Sequence, residues 1–197
     1  MITKVKVFNR FAMDFAAQMG KDSTFPFIGK PWHLVSIHGD SEKFLTEKNV
    51  ESLKKIGMLG CLSLEFWDVT DDQDNLDSMS HGGYKYILFD EHMARQVVEF
   101  LERRKMEQGD HTLVLHCDAG ISRSGAVAEF SAEFFGIPSE DFQKANPHLR
   151  PNSFVRRLLR ESAGLAGKSA FLTGIEAKRQ EEEKKTVNTL ITSGCFV

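Results

Sequence analysis

At 197 residues and 41% hydrophobic, the chain has material for one domain of ordinary size with a proper core and a short extension. A net charge of −3 sets up no basic field for nucleic acid or an anionic membrane, the start MITKVKVFNR lacks the apolar centre of a signal peptide, and no apolar run is long enough to span a bilayer. Three widely spaced cysteines (Cys61, Cys117, Cys195) are no disulfide framework, so the expected setting is reducing and cytoplasmic, with neither nucleic acid nor membrane as partner.

Lys4 to Phe8 alternates polar and apolar side chains and reads as a first strand. Phe11 to Gly20 suits a short helix, and Asp22 to Pro31 a loop. Trp32 to Ile37 is a strand. Ser41 to Ile56 mixes charges with Phe44, Leu45, Val50, Leu53 and Ile56, the pattern of one or two short helices. Cys61 to Val69 (CLSLEFWDV) is the next strand. The acidic stretch DDQDNLDSMSHGG, Asp71 to Gly83, reads as an exposed loop, and Tyr84 to Phe89 as a short extended stretch. Asp90 is placed to cap a helix from Glu91 to Met106 that carries Met93, Val97, Phe100 and Leu101 on one face.

Gln108-Gly109-Asp110 ends that helix, and Thr112 to Leu115 is a buried-type strand. Ser122 to Phe135 follows as a helix with Ala126, Phe130 and Phe134 on one face, closed by Gly136, with Pro138 opening the next segment. Pro151-Asn152-Ser153 starts a helix from Phe154 to Arg160. The tail is Gly-, Ala- and Ser-rich, then charged from Glu176 to Lys185, a solvated helix face, then apolar at Leu190-Ile191. Strands alternating with helices predict an α/β fold, a three-layer sandwich with a central, largely parallel sheet flanked by helices.

The run HCDAGISRSG, His116 to Gly125, carries the chemistry. It joins a buried strand to a helix, so its backbone N–H groups and the positive end of the helix dipole point at one spot, a ready oxyanion site. A cysteine at the start of such a loop has its thiolate favoured. Cys117 is therefore the candidate nucleophile. The N–H groups of Asp118, Ala119, Gly120, Ile121, Ser122 and Arg123 would cradle an anion. Arg123 offers a planar fork for two oxygens, which lysine cannot supply. Gly120 would take a turn conformation that a Cβ disfavours. Ser124 can donate to the sulfur. His116 is expected to orient the loop or tune the thiol through hydrogen bonds rather than to carry a proton.

This run resembles the signature loop of the cysteine-dependent protein tyrosine phosphatases of the smaller, dual-specificity type, most clearly over residues 32–160. The resemblance implies that fold, a phosphocysteine intermediate, and a catalytic domain over residues 1–165 with a charged extension, helical or partly flexible, over 166–197. It also implies an aspartate after an upstream strand as general acid and base. Leu64-x-Phe66-x-Asp68 fits that pattern, with Asp71 and Asp72 as rivals and Asp90 better read as a helix cap. Pro151-Asn152 resembles a family feature too, but it reads equally well as a plain helix start. The chemistry requires no metal and no cofactor, and the histidines show no ligand spacing.

The expected substrate is a phosphorylated protein or peptide, phosphotyrosine first, with phosphoserine and phosphothreonine admitted if the pocket is shallow. Two alternatives stand beside it. One is a non-protein phosphoester such as a phosphoinositide or an RNA 5′-phosphate, disfavoured by the carboxylate of Asp118 inside the loop. The other is a non-catalytic phosphate-binding module. No oligomeric state is specified by the pattern.

Overall fold

Four parallel strands form the sheet, two fully buried at its centre and two partly exposed at its edges. The computed structural model describes residues 1–22, 30–39, 43–69, 87–165, 167, 169, 171–177, 180–181 and 184–185. The acidic stretch with Asp71 and Asp72, the start of the extended stretch at Tyr84, and Cys195, Leu190 and Ile191 lie outside these residues. In chain order the elements are β1 (Ile2–Asn9), α1 (Arg10–Met19), β2 (Trp32–His38), α2 (Glu47–Lys55), β3 (Met58–Glu65), α3 (Glu91–Lys105), β4 (His111–Cys117), α4 (Arg123–Phe134), α5 (Ser139–Ala145) and α6 (Ser153–Ser162).

The sheet order is β1-β4-β2-β3, and every adjacent pair is parallel. β4 and β2 are central and every residue in them is buried, which is why they read as continuous apolar runs. Their side chains alternate between two cores. Leu34 and Val114 face Met13, Ala16 and Leu53 of α1 and α2. Val35, Leu113 and Leu115 face Val97, Phe130 and Leu159 of α3, α4 and α6. These are the three layers expected.

The first strand is integral: β1 runs beside β4 in register from Lys4 with Thr112 to Asn9 with Cys117. Its outer edge is covered by Asn146, whose side chain accepts from Val7 N at 2.9 Å and donates to Val5 O at 3.0 Å. That satisfies edge groups without a fifth strand. Phe171 and Ile175, on helical residues 171–177, also reach the core.

Two elements differ from expectation. The strand expected to reach Val69 stops at Glu65, because its partner β2 ends at His38. Phe66 N still donates to His38 O at 2.9 Å, but Trp67 N turns to Ile87 O at 2.8 Å. The helix α4 was expected to have one apolar face. Instead Ser124 through Ala132 are all buried, since the helix packs on the sheet, α5 and α6 at once. It carries Glu129 into the interior, where Arg156 Nη1 meets Glu129 Oε1 at 2.7 Å.

Candidate active site

β4 delivers Cys117 to the carboxyl end of the sheet, beside Asn9 at the end of β1. Cys117 is buried, and its Sγ lies 3.1 Å from Ser124 Oγ in the first turn of α4. Between them the chain turns through residues 118–122. Gly120 has φ +70, and a Cβ on it would sit 2.6 Å from Phe8 O and 2.7 Å from Asn9 N. Only glycine allows the loop to lie this close to β1. Arg10 N donates to Asp118 O at 3.1 Å. Arg150 N and Asn152 N donate to Ile121 O and Ser122 O, each at 3.3 Å. The loop carbonyls are thus tied outward. Among the described residues no backbone oxygen takes the N–H groups of Ala119, Gly120, Ile121 or Ser122. They are the donors that the loop offers an anion, next to the amino end of α4.

Arg123 opens α4 and its side chain is largely covered. Nη1 donates to Phe66 O at 3.0 Å, and Nη2 to Asp118 Oδ2 at 2.6 Å. Nε is buried without a hydrogen-bond partner, a position costly to leave unmet. Gly39 makes room for the guanidinium, since a Cβ there would meet Nη1 at 3.0 Å. The carboxylate of Asp118 therefore does not point away from the loop. It pairs with the arginine of its own loop.

Asp68 follows β3 and is exposed. Its Oδ1 accepts from Ser122 Oγ and from Asn152 Nδ2, both at 2.8 Å. The structure thus brings the strand-end carboxylate to the cysteine loop, as the sequence pattern implied. Asn152, which the sequence reads equally well as a plain helix start, thus joins the site. It caps α6 by accepting from Val155 N at 3.1 Å, and its amide also donates to Val69 O at 2.9 Å. The signal was the Pro151-Asn152 pair, which one sequence cannot separate from an ordinary cap.

His116 differs from expectation. It is fully buried, its ring stands T-shaped on Phe44 at 4.6 Å, and neither ring nitrogen has a hydrogen-bond partner. Burial, reinforced by the charge of Arg10, pushes its pKa down to about 3 against the pull of Asp118. It is a neutral packing ring, unable to carry a proton near neutral pH. Ala119 and Ile121 are exposed at the loop surface, and Gly120 and Ser124 are buried. His33 and His111, two histidines without ligand spacing in the sequence, meet Glu107 at the far end of the sheet.

The thiol of Cys117, the guanidinium of Arg123, the hydroxyl of Ser124 and the carboxylate of Asp68 stand around one loop between strand and helix. The run that forms the loop, His116 to Gly125, resembles the signature loop of the cysteine-dependent phosphatases of the dual-specificity type. No family model matches it, and no curated protein does. Solved structures similar to it include DUSP15, at 18% identity over 89% of this chain and 92% of that chain with a TM-score of 0.48. A mutant form of Tk-PTP is similar at 17% identity over 83% and 93%, TM-score 0.47. PTPMT1 is similar at 15% identity over 91% and 96%, TM-score 0.41. Among the described residues no helix is long and apolar enough to cross a membrane.

Proposed function

We propose that this chain is a phosphomonoesterase that hydrolyses phosphotyrosine in proteins, and phosphoserine and phosphothreonine more slowly, through a phosphocysteine intermediate. The observation that supports the reading is the hydrogen bond that Ser122 Oγ donates to Asp68 Oδ1, which holds a carboxylate beside the loop of Cys117 and Arg123.

The Cys117 thiolate attacks phosphorus, forming S–P as the P–O ester bond breaks, and the departing oxygen takes a proton from Asp68. Water then attacks phosphorus and gives its proton to the Asp68 carboxylate. The S–P bond breaks, inorganic phosphate leaves, and the thiolate returns, stabilised by the hydroxyl of Ser124. The loop amides and the Arg123 fork hold the equatorial oxygens, where charge must be offset. Phenoxide is the better leaving group, which places phosphotyrosine first. A polyanionic headgroup would meet the Asp118 carboxylate inside the loop, which favours a singly phosphorylated side chain.

The test compares para-nitrophenyl phosphate, a phosphopeptide panel and phosphoinositides, for wild type and Cys117→Ser. Turnover of phosphopeptides above phosphoinositides, abolished in Cys117→Ser and unaffected by chelators, is expected. Preference for phosphoinositides would reassign the substrate. Tight phosphopeptide binding without turnover would make the chain a binding module.

A further inference from the structure

His33, Glu107 and His111 come from three places in the fold. His33 is the second residue of β2, His111 opens β4, and Glu107 follows α3. Cys117 closes β4 at the other end of seven residues, so the two groups are separated by about 20 Å along the strand. His33 and His111 are buried, and the Glu107 side chain is 28% exposed.

The three contacting atoms form a tight triangle. His33 Nε2 lies 2.7 Å from Glu107 Oε2 and 3.1 Å from His111 Nδ1. His111 Nδ1 lies 2.8 Å from the same carboxylate oxygen. With the carboxylate ionised, protons alone do not satisfy such a triangle. If both ring nitrogens carry hydrogen, each can donate to the carboxylate, but two donors then face each other. If only one carries hydrogen, the other turns a lone pair toward the carboxylate oxygen. Each tautomer then leaves one side of like against like, unless Glu107 takes up a proton. A cation at the centre removes the conflict, because all three atoms then present lone pairs to it.

We propose that His33, Glu107 and His111 bind a divalent transition metal of the zinc class, in a structural role that ties β2, β4 and the end of α3 together. Two imidazoles and a carboxylate are a zinc-type donor set. Ligand atoms about 2.0–2.1 Å from a tetrahedral zinc stand about 3.3 Å apart. The atoms here, 2.7, 2.8 and 3.1 Å apart, need to spread by about 0.2–0.6 Å. Arg104 Nε forms a long ion pair with the other carboxylate oxygen, Glu107 Oε1, at 3.5 Å. The partial exposure of Glu107 gives the ion an entry and water a fourth position. The site takes no part in the hydrolysis proposed above, and neither reading depends on the other.

The full chain, stripped by a chelator and dialysed, is titrated with Co²⁺ and then with Zn²⁺ in competition. The visible d–d absorption of bound cobalt reports coordination, and thermal melting reports the structural role. One equivalent is expected to bind, displaced by zinc, with a raised melting temperature. Cys117→Ser is expected to bind equally well. Glu107→Gln, which keeps shape at a partly exposed position, is expected to weaken binding at least about tenfold and to lose the metal-dependent rise in melting temperature. Absence of stoichiometric cobalt uptake overturns the proposal. So does uptake lost in Cys117→Ser but unchanged in Glu107→Gln, which would place the ion on the active-site thiol.

Discussion

Asp68 meets the loop through one oxygen, Oδ1, which takes both described hydrogen bonds. In the proposed reaction, the other oxygen, Oδ2, is the one left open toward a substrate. Asp68→Asn is expected to lower kcat about 10²–10⁴-fold on alkyl phosphates and far less on para-nitrophenyl phosphate, whose leaving group needs no acid. An equal loss on both substrates would remove the acid role. Asp118 makes a different prediction. Its carboxylate occupies Nη2 of Arg123, an arm that a phosphate needs for two-oxygen binding, so the two compete. Asp118→Ala is expected to tighten inhibition by inorganic phosphate by about three- to tenfold, a modest gain because the aspartate is partly solvated. Unchanged inhibition would show that the pair does not oppose ligand binding. That Cys117, Arg123, Gly120 and Ser124 share one loop was legible from the sequence, because they fall within ten residues between a buried strand and a helix. The Asp118–Arg123 pair was not, since side-chain direction within a loop is set by the packing around it.

The loop between β4 and α4 keeps its shape through neighbouring elements, and two residues test this. Gly120 combines φ +70 with a backbone contact that leaves no room for a Cβ. Gly120→Ala is therefore expected to push the loop off β1, with a loss of the order of 1–3 kcal/mol in stability from the backbone alone and severe loss of turnover. Wild-type activity in that variant, measured with para-nitrophenyl phosphate, would show that the loop can be rebuilt. Asn152 joins two tasks, capping α6 and holding Asp68. Asn152→Ser keeps a capping oxygen but cannot reach Asp68. Its stability is expected to stay within about 1 kcal/mol of wild type while kcat falls and KM stays level. A proportionate loss of stability and activity would mean that Asn152 is only a cap. Element positions were readable wherever hydrophobic period and capping residues agreed, as at Asp90, whose side chain accepts from Met93 N at 2.8 Å. The strand β3 ends earlier than the pattern predicts: Val69 is buried although it has left the sheet. Burial without pairing looks like strand in a sequence.

At the scale of the molecule, the sheet holds neutral histidines in its interior, and this couples the whole fold to pH. His116 sits in the central strand, with Phe44 against its ring and the charges of Arg10, Asp118 and His38 acting on it. Burial lowers its pKa from the ordinary 6.5 to about 3, and burial lowers that of His38 as well. Between those two values the unfolded chain binds a proton at this position and the folded chain does not. Stability therefore rises with pH across that window. Its contribution is complete above the unfolded value and is lost progressively as pH falls toward the folded one. The slope from His116 is at most about 1.4 kcal/mol per pH unit. Urea unfolding between about pH 7 and pH 4 is expected to show this fall, and His116→Gln, which cannot titrate, is expected to flatten it by up to one proton's worth whatever its effect on absolute stability. Parallel pH profiles for the two proteins would mean that the folded interior accommodates a charged imidazole, contrary to the burial of His116 beneath the loop.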